Sequence, residues 1–302
     1  MNERTRCGYV ALIGAPNAGK STLVNQLVGG KVSIVSPKPQ TTRSRVLGIA
    51  IKDGAQIVLV DTPGIFAPRK RLDRAMVAAA WGGADDADLL VLLVDAQRCR
   101  KNIDSETQAI IDKLAGRKRR AVLILNKVDL VEKTILLKLA ERLNETALFE
   151  EIFMVSALSG DGTGELLANF AKRMPEGHWL FPEDQLSDMP MRLLAAEITR
   201  EKLFIQLHQE LPYAAAVETE TWEERKDGGV RIEQAITVER ETQKAIVVGK
   251  GGTRIKAIGA AAREELSAIL ERPVHLFLFV RVRENWQEDR ERYRDIGLDF
   301  DS

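Results

Sequence analysis

Two short stretches of this chain combine glycine and lysine as a phosphate-holding loop requires. The first is Gly14-Ala15-Pro16-Asn17-Ala18-Gly19-Lys20-Ser21, followed by Thr22; the second is Gly249-Lys250-Gly251-Gly252. Glycines let a backbone bend and approach an anion, and successive N–H groups then line a concavity that favours negative charge. The first stretch reads as a nucleoside triphosphate cradle, in which Lys20 bridges the β- and γ-phosphates and the Ser21 hydroxyl binds Mg²⁺. The second reads as a clamp on the backbone of single-stranded RNA, with Lys250 supplying charge. A chain that carries both is expected to couple one event to the other.

Further motifs define what the cradle would hold. Asp61-Thr62-Pro63-Gly64 puts a carboxylate where a strand-end aspartate holds Mg²⁺ through water, and the Gly64 N–H where it can meet a γ-phosphate. Asn126-Lys127-Val128-Asp129 selects the base. Guanine offers two donors, N1–H and the N2 amino group, to the Asp129 carboxylate, whereas adenine presents an acceptor at N1. A buried polar group left facing a lone pair costs on the order of 1–3 kcal/mol. Asn126 is expected to tie the loops together and approach N7, and the Lys127 stem to cover the base plane. In Ser156-Ala157, the Ala157 N–H is expected to donate to O6.

Composition narrows the partners. The chain has 302 residues, enough for two domains, and 45% hydrophobic content supports ordinary cores. The formal net charge is zero, so any nucleic-acid site must be a local patch. From Arg240 to Lys256 the bases are Arg240, Lys244, Lys250, Arg254 and Lys256, against Glu241 alone. Cys7 and Cys99 show neither metal-like spacing nor a disulfide framework, which suits a reducing compartment. The charged start Met1 to Arg6 and the short apolar run Tyr9 to Ile13 do not make a secretory leader. No apolar run approaches the ~18 residues of a spanning helix. The chain reads as cytoplasmic.

These motifs need strands to carry them. Val10–Ile13 ends at the first loop, and Ser21 to Val28 reads as the helix after it. Val46 to Ile51 and Gln56 to Val60 read as adjacent strands around the turn Asp53-Gly54. Leu89 to Val94 and Ala121 to Leu125 are unbroken apolar runs, as in parallel strands buried on both faces. Helical patterns at Ser105–Leu114 and Thr134–Leu143, a strand at Ile152–Val155 and a helix from about Gly164 to Arg173 complete a doubly wound α/β domain, residues 1–174. Residues 175–190 carry proline, glycine and acid without an apolar period and read as a linker. Residues 191–284 follow as helix (Leu193–Leu211), strand (Ala214–Trp222), strand (Val230–Glu239), helix, glycine loop, helix (Thr253–Leu270) and strand (Val274–Val282). Residues 285–302 form a charged tail, helical or frayed. Ile246, Val248, Ile255 and Ile258 line an apolar floor for bases or belong to the core, and Trp222 and Trp286 stack on bases or pack.

Gly14 to Ser21, Asp61 to Gly64, Asn126 to Asp129 and Ser156-Ala157 together resemble translation-factor-class GTPases. Lys38-Pro39-Gln40-Thr41-Thr42-Arg43 and the C-terminal glycine loop narrow the resemblance to the Era family of bacterial GTPases, along the whole chain. The resemblance implies an α/β P-loop NTPase domain followed by an α+β KH domain of type II. It implies GTP and GDP as ligands with Mg²⁺, and a monomer that binds 16S ribosomal RNA near its 3′ end and assists 30S subunit assembly. It makes Ser33–Ser44 the first switch, with Thr42 as Mg²⁺ ligand and Thr41 the competing choice, and starts the second switch at Asp61, running through Arg69-Lys70-Arg71. The expected catalytic set is Lys20, Thr42, Asp61 and Gly64.

One position departs from Ras-like chemistry. Where those proteins place a water-orienting glutamine, this chain has Ile65, so unaided hydrolysis is expected to be slow. Asn17 is the candidate partner of a K⁺ that would supply the missing charge. An alternative is an RNA-binding scaffold that uses the pocket as a guanine-nucleotide sensor. A third reading, peripheral association with the inner membrane, rests on the charged tail alone.

Overall fold

The computed structural model describes residues 5–207, 211–284, and beyond them Trp286, Asp289, Arg290, Tyr293 and 297–301. It divides into two units, Met1–Val35 with Thr42–Asp188 and Arg294–Ser302, and Ser36–Thr41 with Met189–Tyr293. In the first the elements run β1 (Arg6–Ile13), α1 (Lys20–Val28), β2 (Val46–Lys52), β3 (Ala55–Asp61), α2 (Arg71–Asp86), β4 (Leu89–Asp95), α3 (Ser105–Gly116), β5 (Ala121–Asn126), α4 (Lys133–Asn144), β6 (Phe149–Val155) and α5 (Thr163–Arg173).

Because β4 and β5 are apolar at nearly every position, both faces of the sheet must be covered. The strands take the order β2-β3-β1-β4-β5-β6. All neighbours are parallel except β2 and β3, which the turn Asp53-Gly54 joins as a hairpin. One face packs Ala80 and Trp81 of α2, Ile110 and Leu114 of α3, and Leu136, Leu139 and Leu143 of α4. The other packs Leu23, Val24 and Leu27 of α1 with Leu166 and Phe170 of α5. The carboxyl ends of β1, β3, β5 and β6 therefore emerge on one edge, where a doubly wound sheet binds ligands.

The second unit contains α6 (Met191–Gln206), β7 (Ala216–Glu224), β8 (Val230–Val238), α7 (Glu241–Val248), α8 (Thr253–Leu270) and β9 (Val274–Val282). Its sheet runs β7-β8-β9, with β8 and β9 parallel. Its core joins Leu203, Leu207, Ile236, Val247 and Ile258. The order helix, strand, strand, helix, glycine loop, helix, strand is that of a type II KH domain, as the sequence implies.

Three local readings change. The helix expected to reach Leu211 ends at Gln206, because Leu207 is extended (φ −97°, ψ 153°); His208, Gln209 and Glu210 lie outside the described residues. Arg71, expected with Arg69 and Lys70 in the run of the second switch, opens α2, and Asp73 Oδ2 accepts from the N–H groups of Arg69 (2.9 Å) and Lys70 (3.0 Å). Residues 175–188 lack an apolar period, yet Cys7 N donates to Pro175 O (3.1 Å) and Ile49 N to Leu186 O (2.8 Å). The expected form of the tail beyond Glu284 falls largely outside the described residues.

Candidate nucleotide and RNA sites

The cradle loop is fixed by close approach to the sheet. Gly14 has φ +157°, and a Cβ there would sit 2.4 Å from the Leu93 carbonyl oxygen of β4. Gly19 has φ +101°, and its Cβ would lie 2.2 Å from Asn126 Nδ2. Asn17 itself holds a left-handed φ of +62°, which asparagine tolerates better than most residues. Ala15, Pro16 and Ala18 are buried, and Thr22 is half-buried in α1. Ile65 N donates to Gly14 O (3.0 Å), joining the end of the Asp61-Gly64 motif to the cradle. Gly64 packs on Pro16 so closely that a Cβ would come within 2.8 Å of its Cα.

Charge converges at the start of α1. Lys20 is buried, and its ammonium donates to Gly14 O and Ala15 O, both at 3.1 Å. Burial pushes its pKa down to about 8, against the opposing pull of Asp61 and then Glu106. Asp61 is fully buried, and burial raises its pKa against the Ser21 hydrogen bond and the Lys20 charge. Ser21 Oγ donates to Asp61 Oδ2 (2.6 Å) and lies 2.9 Å from Thr42 Oγ1. Asp61 Oδ1 is buried without a hydrogen-bond partner. One carboxylate with an unused oxygen beside two hydroxyls is a donor set that fits Mg²⁺, a hard cation that completes its shell with water and phosphate oxygens. Thr41 does not join it: its hydroxyl donates to Lys38 O (2.8 Å). Thr62 Oγ1 donates to Leu12 O (2.7 Å), and Pro63 is buried beside it.

The base-selecting loop is braced by Asn126. Its Nδ2 donates to Ala18 O (2.8 Å) and its Oδ1 accepts from Ala157 N (2.9 Å). The Ala157 N–H, expected to reach O6, is thus directed to Asn126, because the side chain that ties the loops needs a donor at that point. Ser156 Oγ accepts from Ser159 N (3.2 Å). Lys127 has φ +64° and pairs with Asp95 Oδ2 (2.6 Å), while Asp129 stands exposed. Asp95 was not singled out from the sequence; the available signal was an acid closing the apolar run of β4, as Asp61 closes β3.

In the second unit α7 and α8 meet at Gly249–Gly252. Gly249, Gly251 and Gly252 all have positive φ (72°, 60° and 77°), so the turn needs glycine at each. Lys250 and Lys256 are exposed; Lys244 lies 3.9 Å from Glu241. Arg254, expected to meet RNA, turns its Nη1 onto Ile246 O (2.8 Å) at the end of α7, because the last carbonyls of a helix lack partners. Ile258 is core and Ile246 exposed. Trp222 packs on the core, and Trp286 is buried with Nε1 on Ala214 O (3.2 Å), so neither is a free stacking platform.

The fold and these loops define a P-loop GTPase domain joined to a type II KH domain. Residues 9–127 match the family model of the 50S ribosome-binding GTPase, and residues 210–287 that of the KH domain. The chain is 64% identical over 296 residues to GTPase Era of Sinorhizobium medicae, covering 98% of this chain and 94% of that one. It is 61% identical over 297 residues to GTPase Era of Brucella suis, with the same coverage of 98% and 94%. The structure of a tyrosine-to-alanine variant of Aquifex aeolicus Era bound to GDP·AlF4⁻ superposes with a TM-score of 0.90 at 39% identity, covering 97% of this chain and 99% of that one. Era in complex with MgGDPNP and nucleotides 1506–1542 of 16S ribosomal RNA gives the same TM-score of 0.90, identity of 39% and coverage of 97% and 99%. The chain belongs to the Era family of GTPases. Among the described residues, no helix is long and apolar enough to cross a membrane.

Proposed function

We propose that this chain is a GTP-hydrolysing switch that binds 16S ribosomal RNA near its 3′ end and assists assembly of the 30S subunit, as a monomer in the cytoplasm. What carries the reading is one chain holding both a guanine-selecting nucleotide site and a KH glycine loop, in a family with a solved member in complex with MgGDPNP and 16S RNA nucleotides 1506–1542. The phosphates of GTP would lie in the Gly14–Thr22 loop with Lys20 beside them, and Gly64 N–H would meet the γ-phosphate. Ser21, Thr42 and Asp61 would hold Mg²⁺, which when bound neutralises charge on the β- and γ-oxygens. Asp129 would accept from guanine, flanked by Asn126, Lys127, Ser156 and Ala157. Gly249, Lys250, Gly251 and Gly252 would clamp RNA phosphates, with Lys244, Arg254 and Lys256 adding charge.

Hydrolysis is slow on this reading. Ile65 is buried in the core and has no polar atom with which to orient water. A K⁺ beside Asn17, or bound RNA, supplies the missing organisation. The test is multiple-turnover GTP hydrolysis in KCl and in NaCl at equal ionic strength, with and without the 1506–1542 RNA. Turnover is expected to rise with K⁺ and with RNA. Equal rates in the two salts remove K⁺; tight GTP and RNA binding without turnover in any condition replaces the switch by a nucleotide-sensing RNA scaffold. Sedimentation with anionic vesicles decides whether the protein also binds the inner-membrane surface.

A further inference from the structure

The turn after β4 reaches the nucleotide cradle through a side chain that no sequence motif marks. Asp95 closes β4, and its Oδ1 accepts from the N–H groups of Gln97 (2.9 Å) and Arg98 (3.1 Å) while its Oδ2 pairs with Lys127 (2.6 Å). Cys99 N donates to Asp95 O (3.1 Å), and the Cys99 side chain is buried. The backbone at Arg98 is therefore held from both sides. All of these residues belong to the first unit.

The Arg98 guanidinium bridges two loops. Its Nη2 donates to Asp104 Oδ1 (3.2 Å) and Glu106 Oε2 (3.0 Å) at the start of α3. Its Nη1 donates to the carbonyl of Pro16 (3.3 Å), 82 positions away in the cradle loop. Holding α3 accounts for the first two bonds, since Asp104 caps that helix by accepting from Glu106 N and Thr107 N, both at 3.2 Å. It does not account for the third. A lysine here would have one nitrogen for three acceptors, whereas the flat guanidinium fork serves the carboxylates with one nitrogen and the carbonyl with another.

Pro16 is a sensitive place to grip. It packs against Gly64, where a Cβ would come within 2.8 Å of Pro16 Cα and 2.9 Å of its ring. The peptide joining Pro16 to Asn17 is trans, so its carbonyl and its N–H point opposite ways. A donor on the carbonyl fixes the plane of that peptide and polarises it, which strengthens the N–H on the other side. We infer that Arg98 is a positioning residue for GTP hydrolysis: by holding the Pro16 carbonyl it turns the Asn17 N–H toward the phosphates and keeps Pro16 against Gly64. The inference rests on the reading of Gly14–Thr22 as the phosphate cradle. Charge that develops on the leaving phosphate draws on such donors more strongly in the transition state than in the ground state. Arg98 acts through the loop backbone, its own charge being balanced by Asp104 and Glu106.

The experiment compares wild type with Arg98→Met, which keeps the stem and removes the donors, with Arg98→Lys, and with Arg98→Met combined with Glu106→Gln. The double variant is needed because Glu106 is near enough to Lys20 to act on its charge, and losing Arg98 uncovers that carboxylate. The kcat for GTP is expected to fall about tenfold in Arg98→Met, less than the ~10²-fold cost of deleting a transition-state donor outright. The fall should persist in the double variant, with KM within about twofold of wild type. Arg98→Lys should recover to within about threefold, because an ammonium can still donate to the Pro16 carbonyl. The ³¹P resonance of the β-phosphate of bound GDP should move in Arg98→Met and in the double variant, and return in Arg98→Lys. The Tm should hold within about 4 °C, because ion pairs of a half-exposed side chain add little stability. Arg98→Ala takes the place of Arg98→Met if that variant fails to fold. Wild-type kcat in the double variant overturns the inference and leaves Arg98 a screen for Glu106. An unmoved ³¹P resonance overturns it too, as does a loss of kcat matched by a loss of Tm, which makes Arg98 an anchor of α3 alone. A wild-type protein that binds GTP without turning it over sinks the switch reading instead, and the ³¹P resonance then decides on Arg98 by itself.

Discussion

Gly14→Ala asks whether the cradle takes its shape from the sheet beneath it. The new Cβ would fall 2.4 Å from Leu93 O, and ordinary contact begins at 3.4 Å, so the loop must retreat by 3.4 − 2.4 = 1.0 Å. Leu93 has no freedom to yield: it is 1% exposed and pairs with Ile124 in the middle of the sheet. A displacement of ~1 Å in groups that position a substrate costs about 10²-fold in rate. Gly14→Ala is therefore expected to lower kcat/KM for GTP by about 100-fold, equivalent to roughly 2.7 kcal/mol of transition-state stabilisation. Gly29→Ala is the control. Gly29 has φ +76° but nothing within 4 Å of a new Cβ, so it adds left-handed strain without a clash. That variant should lose about 1–2 kcal/mol of stability and keep its kinetics. Steady-state hydrolysis and urea unfolding on both variants make the comparison. A Gly14→Ala protein within threefold of wild type, with the cradle unmoved, would refute the argument that the β4 backbone dictates the loop.

Lys20 gives a pH prediction. Its pKa in the free protein is held down at about 8 by burial, and bound phosphate should raise it, so GTP affinity should fall from about pH 7 to about pH 9 with proton uptake on binding. Calorimetry in buffers of different ionisation enthalpy measures the uptake, and none would contradict the assignment. The same shift makes the unfolded chain bind the Lys20 proton more tightly, so this residue's contribution to stability in the nucleotide-free protein rises with pH between about 8 and 10.5. Gln56→Leu should destabilise the first unit by about 3 kcal/mol or more. Gln56 Oε1 accepts from Leu180 N (2.8 Å) and Phe181 N (3.0 Å) while Nε2 donates to Phe181 O (2.8 Å), and leucine leaves all three without a partner; a urea midpoint unchanged from wild type would show those groups resatisfied elsewhere. Lys250→Asp with Gly251→Asp should abolish clamping of the 1506–1542 RNA and reduce the salt dependence of any residual binding by about one unit per lost phosphate contact; intact affinity would move the RNA site off this loop.

The motifs were legible because each is a local turn whose residues have no substitute. Asp53-Gly54 gives a hairpin with φ values of +50° and +76°, and Thr253–Leu270 and Val274–Val282 fall where periodicity puts them. What stayed hidden depends on pairs far apart in the chain. Residues 175–188 look like a linker because backbone hydrogen bonds, not side-chain period, attach them, and one fully buried side chain, Gln56, serves three of their backbone groups. The end of α6 was set too late because the first strong helix breaker in the sequence is Pro212, whereas the backbone leaves the helix at Leu207.

The division of labour between Thr41 and Thr42 shows why the most consequential part was unreadable. The two hydroxyls are identical in type and adjacent in sequence, so no pattern separates them. The physical difference is that Thr41 is claimed from both ends, its hydroxyl by the Lys38 carbonyl and its carbonyl by Arg200, 159 positions away. That claim leaves Thr42 as the one whose hydroxyl lies beside Ser21.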